Sequence, residues 1–481
     1  MKIRRLFPWL LLGLILITQQ NFAQRRRVKR LTKAFLHAPA LEGALTGIRI
    51  ERLDKNRILA SVNADKLFIP ASTMKTLAVF NALQDLGKDF RWHTEFLING
   101  NIRNDTLYGN LIIRAHGDPT FGGPRMGEDW KQPTDSLITR IQSLHIRVIR
   151  GDLILQQNGD WYPAPGSWPV EDIGTYYGTG AWSFNFNDNK MRITMRQNPR
   201  TGAPVQVVAL HPDIPGYTCR NRVVSGKPGT GDEAYLYGEP TQYFRTLIGE
   251  IEPGDSLFDV KAGIPNPPLS YLRLLKIFLE RKNIGLTGTP RIENNFRKYP
   301  GEKILLDKTS APLIDIAKTT LNFSVNHYAE AMMRLIIEKN RPADGYIDKD
   351  SLNAYFRRRG FRLIDLEDGS GLAPDNLIAP QEYTAFLKRL VRRNGLAYVL
   401  DILPHAGEEG YARYFLAGHP ENARLWLKSG SVSKVRNYTG IFQGKSGHYY
   451  VFAIMVNHFK TSHKAVKKAI EKYLDKLILQ L

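Results

Sequence analysis

The alternation of apolar and polar residues divides the chain into three textures. Between Gly47 and Ser72, "GIRIERLDKNRILASVNADKLFIPAS" opens with two short alternating runs separated by "DKN", the pattern of a β-hairpin. The period then changes: "TMKTLAVFNALQDLG" carries apolar residues at helical spacing and stops at Gly87, a residue suited to closing a helix. From about Arg91 to Ala262, short alternating runs such as "HTEFLING", "LYGNLIIRA", "KMRITMRQN" and "PVQVVAL" are separated by clusters of Gly, Asn, Asp and Pro, which predicts a β-rich segment. Helical spacing returns in "YLRLLKIFLERKNIG", "SVNHYAEAMMRLIIEKN" and "SLNAYFRRRGF". Two strong strands, "ARLWLKSG" and "YYVFAIMVNH", precede an amphipathic last helix, "HKAVKKAIEKYLDKLILQL". The pattern predicts an α/β domain in two parts, 24–90 and 263–481, split by inserted β-rich structure over 91–262. The last helix suits packing on that domain's sheet or, alternatively, a membrane surface.

The N-terminus changes the setting. Lys2, Arg4 and Arg5 precede the apolar run "LFPWLLLGLILI", and the small residue Ala23 follows a short polar stretch, the layout of a secretory signal peptide over 1–23. The apolar run falls short of the roughly 20 residues that span a bilayer. Cleavage after Ala23 and a periplasmic body are expected; an uncleaved anchor stopped by "RRR" is the alternative. Lys and Arg number 67 against 46 acids, a net charge of +21, yet only "RRRVKR" from Arg25 to Arg30 is densely basic. Without zinc-ligand spacing, a helix-turn-helix signature or a GxxxxGK[ST] loop, the excess favours a polyanionic neighbour such as wall polymer or an anionic membrane surface over nucleic acid. A merely soluble surface is the plainer reading. The single cysteine, Cys219, excludes an intramolecular disulfide and reads as a buried or incidental thiol.

The candidate chemistry starts at "IPASTMKTL", where Ser72 and Lys75 are either a helix start with its first solvated turn or a nucleophile and its base. A serine hydroxyl needs a base, and a lysine serves only when neutral. At its ordinary pKa of about 10.4 it is protonated at pH 7 by a margin near 4.6 kcal/mol, so burial or a second cation must push it down. Positions i and i+3 share a helix face near the N-terminus, where exposed N–H groups favour negative charge. The spacing alone decides nothing, because "SVSK" at Ser431 to Lys434 fits it too. Penicillin-binding acyl-transferases add S-x-N and K-[TS]-G further along. Here S-x-N occurs at Ser61, Ser183, Ser324 and Ser351, and K-S-G at Lys428 and Lys445. Ser61 precedes the nucleophile, Ser183 lies in the insertion, Ser351 reads as an N-cap, and Lys445 sits in a hairpin turn. Ser324 falls between two helical runs and Lys428 follows a strand. Only Ser72/Lys75, Ser324/Asn326 and Lys428/Ser429/Gly430 have both order and context.

At these residues the sequence resembles the penicillin-binding D-alanyl-D-alanine carboxypeptidases with endopeptidase activity, the low-molecular-mass class C group. "PASTMKTL", "GDPTF", "NFSVNHYAEAMM", "DGSGL" and "LKSGSVSKVRNYTGIF" carry the likeness, and the long stretch 76–323 matches that group's inserted domains better than a β-lactamase. The resemblance implies a penicillin-binding-protein/β-lactamase-like transpeptidase fold and a serine peptidase acting on peptidoglycan stem peptides, acylated by β-lactam antibiotics, without metal or cofactor. It implies Ser72 as nucleophile, Lys75 as base, Ser324 as proton relay, Asn326 on a substrate amide, and Lys428 as the second cation lowering the pKa of Lys75. Ser429 and Ser431 would bind the terminal carboxylate beside Gly430, and the N–H groups of Ser72 and Ser431 would form the oxyanion hole. Ser429 stands where the group usually has threonine. In "GSWPVEDIGTYYG" the matching contacts to the peptide's diamino acid are Trp168, Glu171 and Asp172, with Val170 replacing a second tryptophan. The plainer reading there is a packed Trp and two solvated acids, and for His327 a packed or solvated helix residue. A serine β-lactamase and a catalytically idle wall-peptide scaffold are the alternatives.

Overall fold

The structure, a computed structural model, describes residues 24–55, 57–158, 163–340 and 349–481. The signal-peptide reading over 1–23 lies outside the described residues. Among them, no helix is long and apolar enough to cross a membrane.

A five-stranded antiparallel sheet organises the chain, in the order Arg57–Val62, Leu45–Arg52, Tyr449–Asn457, Val435–Gln443, Leu425–Val432. The run "YYVFAIMVN" is apolar throughout because it is covered twice. Tyr450, Phe452, Ile454 and Val456 join the cluster formed with the helix over 24–36 and the last helix, His463–Gln480. Val451, Ala453 and Met455 face the opposite way, into the cluster that contains the helices Lys75–Leu86, Leu313–Phe323, Asn326–Lys339 and Pro380–Asn394. The outer layer is drawn together by Phe35 stacked on Tyr473 (4.6 Å between centroids) and by Thr32 hydrogen bonded to the Tyr473 hydroxyl. The last helix therefore packs on the sheet.

The insertion has its own core. Its main sheet runs Pro290–Glu293, Leu153–Gln156, Leu111–Ala115, His93–Ile98, Lys303–Thr309, accompanied by two three-stranded sheets. Tyr271 stands at its centre against Phe121, Phe184, Phe186 and Trp130. The boundary read at 262 moves as a result. Helix Pro267–Arg281, assigned by its period to the second part of the split domain, buries Tyr271, Leu272, Leu275 and Leu279 in the insertion core. The insertion closes only at Lys303–Thr309, which pairs with its first strand. An amphipathic period reports that a face is buried, and is silent on what buries it.

Candidate active site

Ser72, Ser324, Asn326, Ser429, Ser431, Glu171 and Asp172 line one cleft of about 660 Å³. The nucleophile candidate sits in a tight 3-10 turn, Ala71–Met74, that runs directly into the helix Lys75–Leu86. The turn starts with a strained residue: Ala71 has φ 49°, a left-handed conformation that costs a non-glycine residue about 1–3 kcal/mol. Asn437 holds it there by donating from Nδ2 to the carbonyls of Ile69 (2.7 Å) and Pro70 (2.9 Å).

Lys75 is fully buried, and its Nζ donates to Ser72 Oγ at 2.8 Å and to the Ser370 carbonyl at 2.7 Å. Burial brings its pKa down to about 7, against the upward pull of Asp368 and Glu330. Both acids brace the loop that presents the Ser370 carbonyl. Glu330 accepts the N–H groups of Gly369 (3.1 Å) and Ser370 (2.7 Å). Asp368 accepts those of Gly371 (2.6 Å) and Ala373 (2.7 Å), the Asn376 amide (2.9 Å) and the Trp168 indole (2.8 Å). Gly371, at φ 79°, lets this loop lie against the nucleophile turn, since a Cβ there would stand 1.9 Å from the Ala71 carbonyl oxygen.

The second and third motifs meet above Lys75. Ser324 ends the helix Leu313–Phe323 in a left-handed conformation, and its Oγ accepts from Lys428 Nζ at 3.0 Å. Lys428 also donates to the Ser429 carbonyl at 2.8 Å. The two lysines are close enough for each to disfavour the other's charge, and burial is the larger cause for both. Burial lowers Lys75, whereas Lys428 is itself pushed well below its ordinary value by burial, then by Lys75 and Arg436. Lys428 is only 1% exposed, so it lacks the solvation a standing second cation would need. Asn326 donates from Nδ2 to the Tyr177 carbonyl at 2.8 Å, joining its motif to the insertion. Gly430 allows the closest approach: a Cβ would stand 2.6 Å from the Pro70 oxygen and 2.8 Å from the Thr73 nitrogen. Ser431 Oγ lies 3.2 Å from His463 Nδ1.

Of the insertion residues, Glu171 and Asp172 reach the cleft from the short helix Val170–Ile173. Burial raises the Asp172 pKa, and the Tyr177 hydroxyl donates to it at 2.8 Å. Trp168, expected on the substrate's side chain, is instead 3% exposed and packed with Ala164, Leu372 and Ala373. Its ring finds an apolar nest and its N–H a buried carboxylate, the two needs of an indole. His327 is buried, and burial holds it well below its usual pKa. Burial pushes the Cys219 thiol up, away from reactivity. None of Ser61, Ser183, Ser351 or Lys445 lines the cleft. Glu330, Asp368 and Ser370 were not foreseen as part of the site. The available signal was Glu330 standing four residues after Asn326, on the same helix face.

Comparison with known proteins gives a consistent result. A family model described as the D-Ala-D-Ala carboxypeptidase 3 (S13) family matches residues 28–479. The chain is 24% identical over 430 residues to D-alanyl-D-alanine carboxypeptidase DacB of Haemophilus influenzae, covering 87% of each. It is 21% identical over 492 residues to a D-alanyl-D-alanine carboxypeptidase of an Actinomadura species, covering 97% of this chain and 88% of the other. Its fold is similar to the crystal structure of penicillin binding protein 4 from Haemophilus influenzae, with TM-score 0.78 and 22% identity, covering 93% of this chain and 98% of that one. A predatory endopeptidase of Bdellovibrio bacteriovorus matches at TM-score 0.51 and 15% identity, over 90% and 94% of the two chains.

Proposed function

The chain belongs to the D-Ala-D-Ala carboxypeptidase 3 (S13) family of hydrolases, and on that premise we propose that it acts in the periplasm on peptidoglycan stem peptides through an acyl-enzyme on Ser72. The observation that carries this reading is the 2.8 Å contact between Ser72 Oγ and a lysine whose burial brings its pKa down to about 7. Neutral Lys75 takes the Ser72 proton as Oγ attacks the carbonyl carbon of the penultimate D-alanine. The N–H groups of Ser72 and Ser431 receive the oxyanion, a contribution of a few kcal/mol per donor. Ser324, hydrogen bonded to Lys428, gives its hydroxyl proton to the departing amine as the C–N bond breaks and takes in its place the proton that Lys75 accepted from Ser72. Water then hydrolyses the ester. When the amine is D-alanine the reaction is a carboxypeptidase step; when it belongs to a neighbouring stem peptide, an endopeptidase step. A β-lactam acylates the same oxygen, and its leaving nitrogen stays tethered.

The test is intact-protein mass spectrometry of the unaltered protein and Ser72→Ala after incubation with benzylpenicillin, followed over time. A stable adduct on the unaltered protein alone supports the proposal, and digests of wall peptides then separate a peptidase from an idle scaffold. A transient adduct with rapid drug turnover points to a β-lactamase; no adduct removes Ser72 from the role.

A further inference from the structure

The outer layer of the central sheet carries a charge that the peptidase chemistry does not use. We propose that the solvent face shared by the helix over 24–36 and the last helix, His463–Gln480, docks by charge alone on an anionic lipid surface.

In the last helix the exposed cations are Lys464, Lys468, Lys472 and Lys476, each four residues after the one before. At 1.5 Å per residue they form a row about 18 Å long on one side of the helix. Like charges at this spacing repel and weaken a helix, and the helix's two acidic side chains are engaged elsewhere. Glu471 lies 3.4 Å from Lys467 and accepts the Leu416 N–H at 2.9 Å, and Asp475 lies 3.2 Å from His419. Among the described residues, none of the four lysines lies within ion-pair distance of a carboxylate. The helix over 24–36 exposes Arg25, Lys29, Arg30 and Lys33 and contains no acidic residue. Phe35 stacked on Tyr473, and Thr32 hydrogen bonded to the same tyrosine, hold the two helices side by side on the sheet. Their cations therefore share one flat face.

The packing selects the partner. Both helices turn their large apolar side chains inward: Leu31, Phe35, Val466, Ile470, Leu474 and Leu477 are buried in the cluster on the sheet's outer side. Among the described residues, Leu479 is the one exposed large apolar side chain of the pair. No apolar face remains to enter the lipid tails, so the attraction is to headgroups. A single polyanionic strand is tracked by a basic groove, whereas a flat two-helix layer of cations matches a flat array of phosphates. The lysine row begins next to His463, whose Nδ1 lies 3.2 Å from Ser431 Oγ in the cleft. Docking therefore holds the cleft close to the lipid.

The test is co-sedimentation of the exported protein with vesicles of about 30% phosphatidylglycerol in phosphatidylcholine, and with phosphatidylcholine alone. Binding is expected to the first only, at about 0.1 M NaCl, and should vanish at about 1 M, where the screening length falls to about 3 Å. Lys464→Gln, Lys468→Gln, Lys472→Gln and Lys476→Gln combined should weaken it about 10–100-fold. The same variant should keep benzylpenicillin acylation within about twofold and should not lower the thermal midpoint, because repulsion within the helix has been removed. On the neighbouring helix, Arg25→Gln, Lys29→Gln and Lys33→Gln combined should weaken binding about tenfold. Binding to both vesicle types that resists salt would mark an apolar anchor, and unchanged affinity in the two variants would place the contact on another face. Retention on isolated wall sacculi without vesicle binding would make the partner wall polymer. Each of these outcomes, like binding to neither vesicle, overturns the proposal, and acylation by benzylpenicillin reports on the peptidase reading separately.

Discussion

The middle strand of the central sheet and an edge strand of one of the insertion's three-stranded sheets are buried to different depths. Tyr449–Asn457 is covered on both faces, with all its residues after Tyr449 buried, whereas Gln206–His211 in the insertion has no fully buried residue. The reacting groups follow the first pattern. Lys75 and Lys428 are buried beneath the cleft floor and held by hydrogen bonds to Ser72, Ser370, Ser324 and Ser429, while Glu171 and Asp172 ride on a one-turn helix beside Val170, which is 66% exposed. Groups that must stay within a few tenths of an ångström are held by the densest packing, and groups that meet a variable peptide are left at the rim.

This contrast can be broken most forcefully in the core. Ile454→Ala in the covered strand should cost about 2–5 kcal/mol of unfolding free energy, against about 0.5 kcal/mol or less for Val208→Ala, which is 48% exposed in the insertion; denaturant titration compares them. Next comes Gly430→Ala. Its new Cβ would press on the backbone of Pro70 and Thr73, displacing the nucleophile turn, and benzylpenicillin acylation should slow about a hundredfold. The pH profile is the third probe. With the Lys75 pKa near 7, a protonated lysine cannot accept the serine proton, so the acylation rate constant should fall about tenfold per pH unit below 7 and level off above it. The smallest effect belongs to the rim: Asp172→Asn should change kcat/KM on peptides with a free diamino side chain by about threefold to tenfold, and leave penicillin acylation unchanged.

What the sequence made legible was local. The hairpin, the turn into the helix at Lys75, the serine between two helices and the lysine on a strand are all short-range patterns, and each motif chosen over its decoys lies at the cleft. Long-range facts were out of reach. Helix Pro267–Arg281 has the same period whichever core receives it, Trp168 reads alike whether it faces substrate or Asp368, and the relation between Lys75 and Lys428 depends on burial that no spacing encodes.

The strand order also dictates when the enzyme can come to life. Leu45–Arg52, made before the insertion, has a partner in Tyr449–Asn457, made after it, while the insertion strands between 93 and 309 find all their partners among themselves. A chain growing from its N-terminus can therefore finish the insertion while the two halves of the catalytic sheet are still apart. Synthesis halted before Tyr449 would leave Leu45–Arg52 and Val435–Gln443 without the strand that joins them, so the arrival of that strand is itself the step that switches on the chemistry.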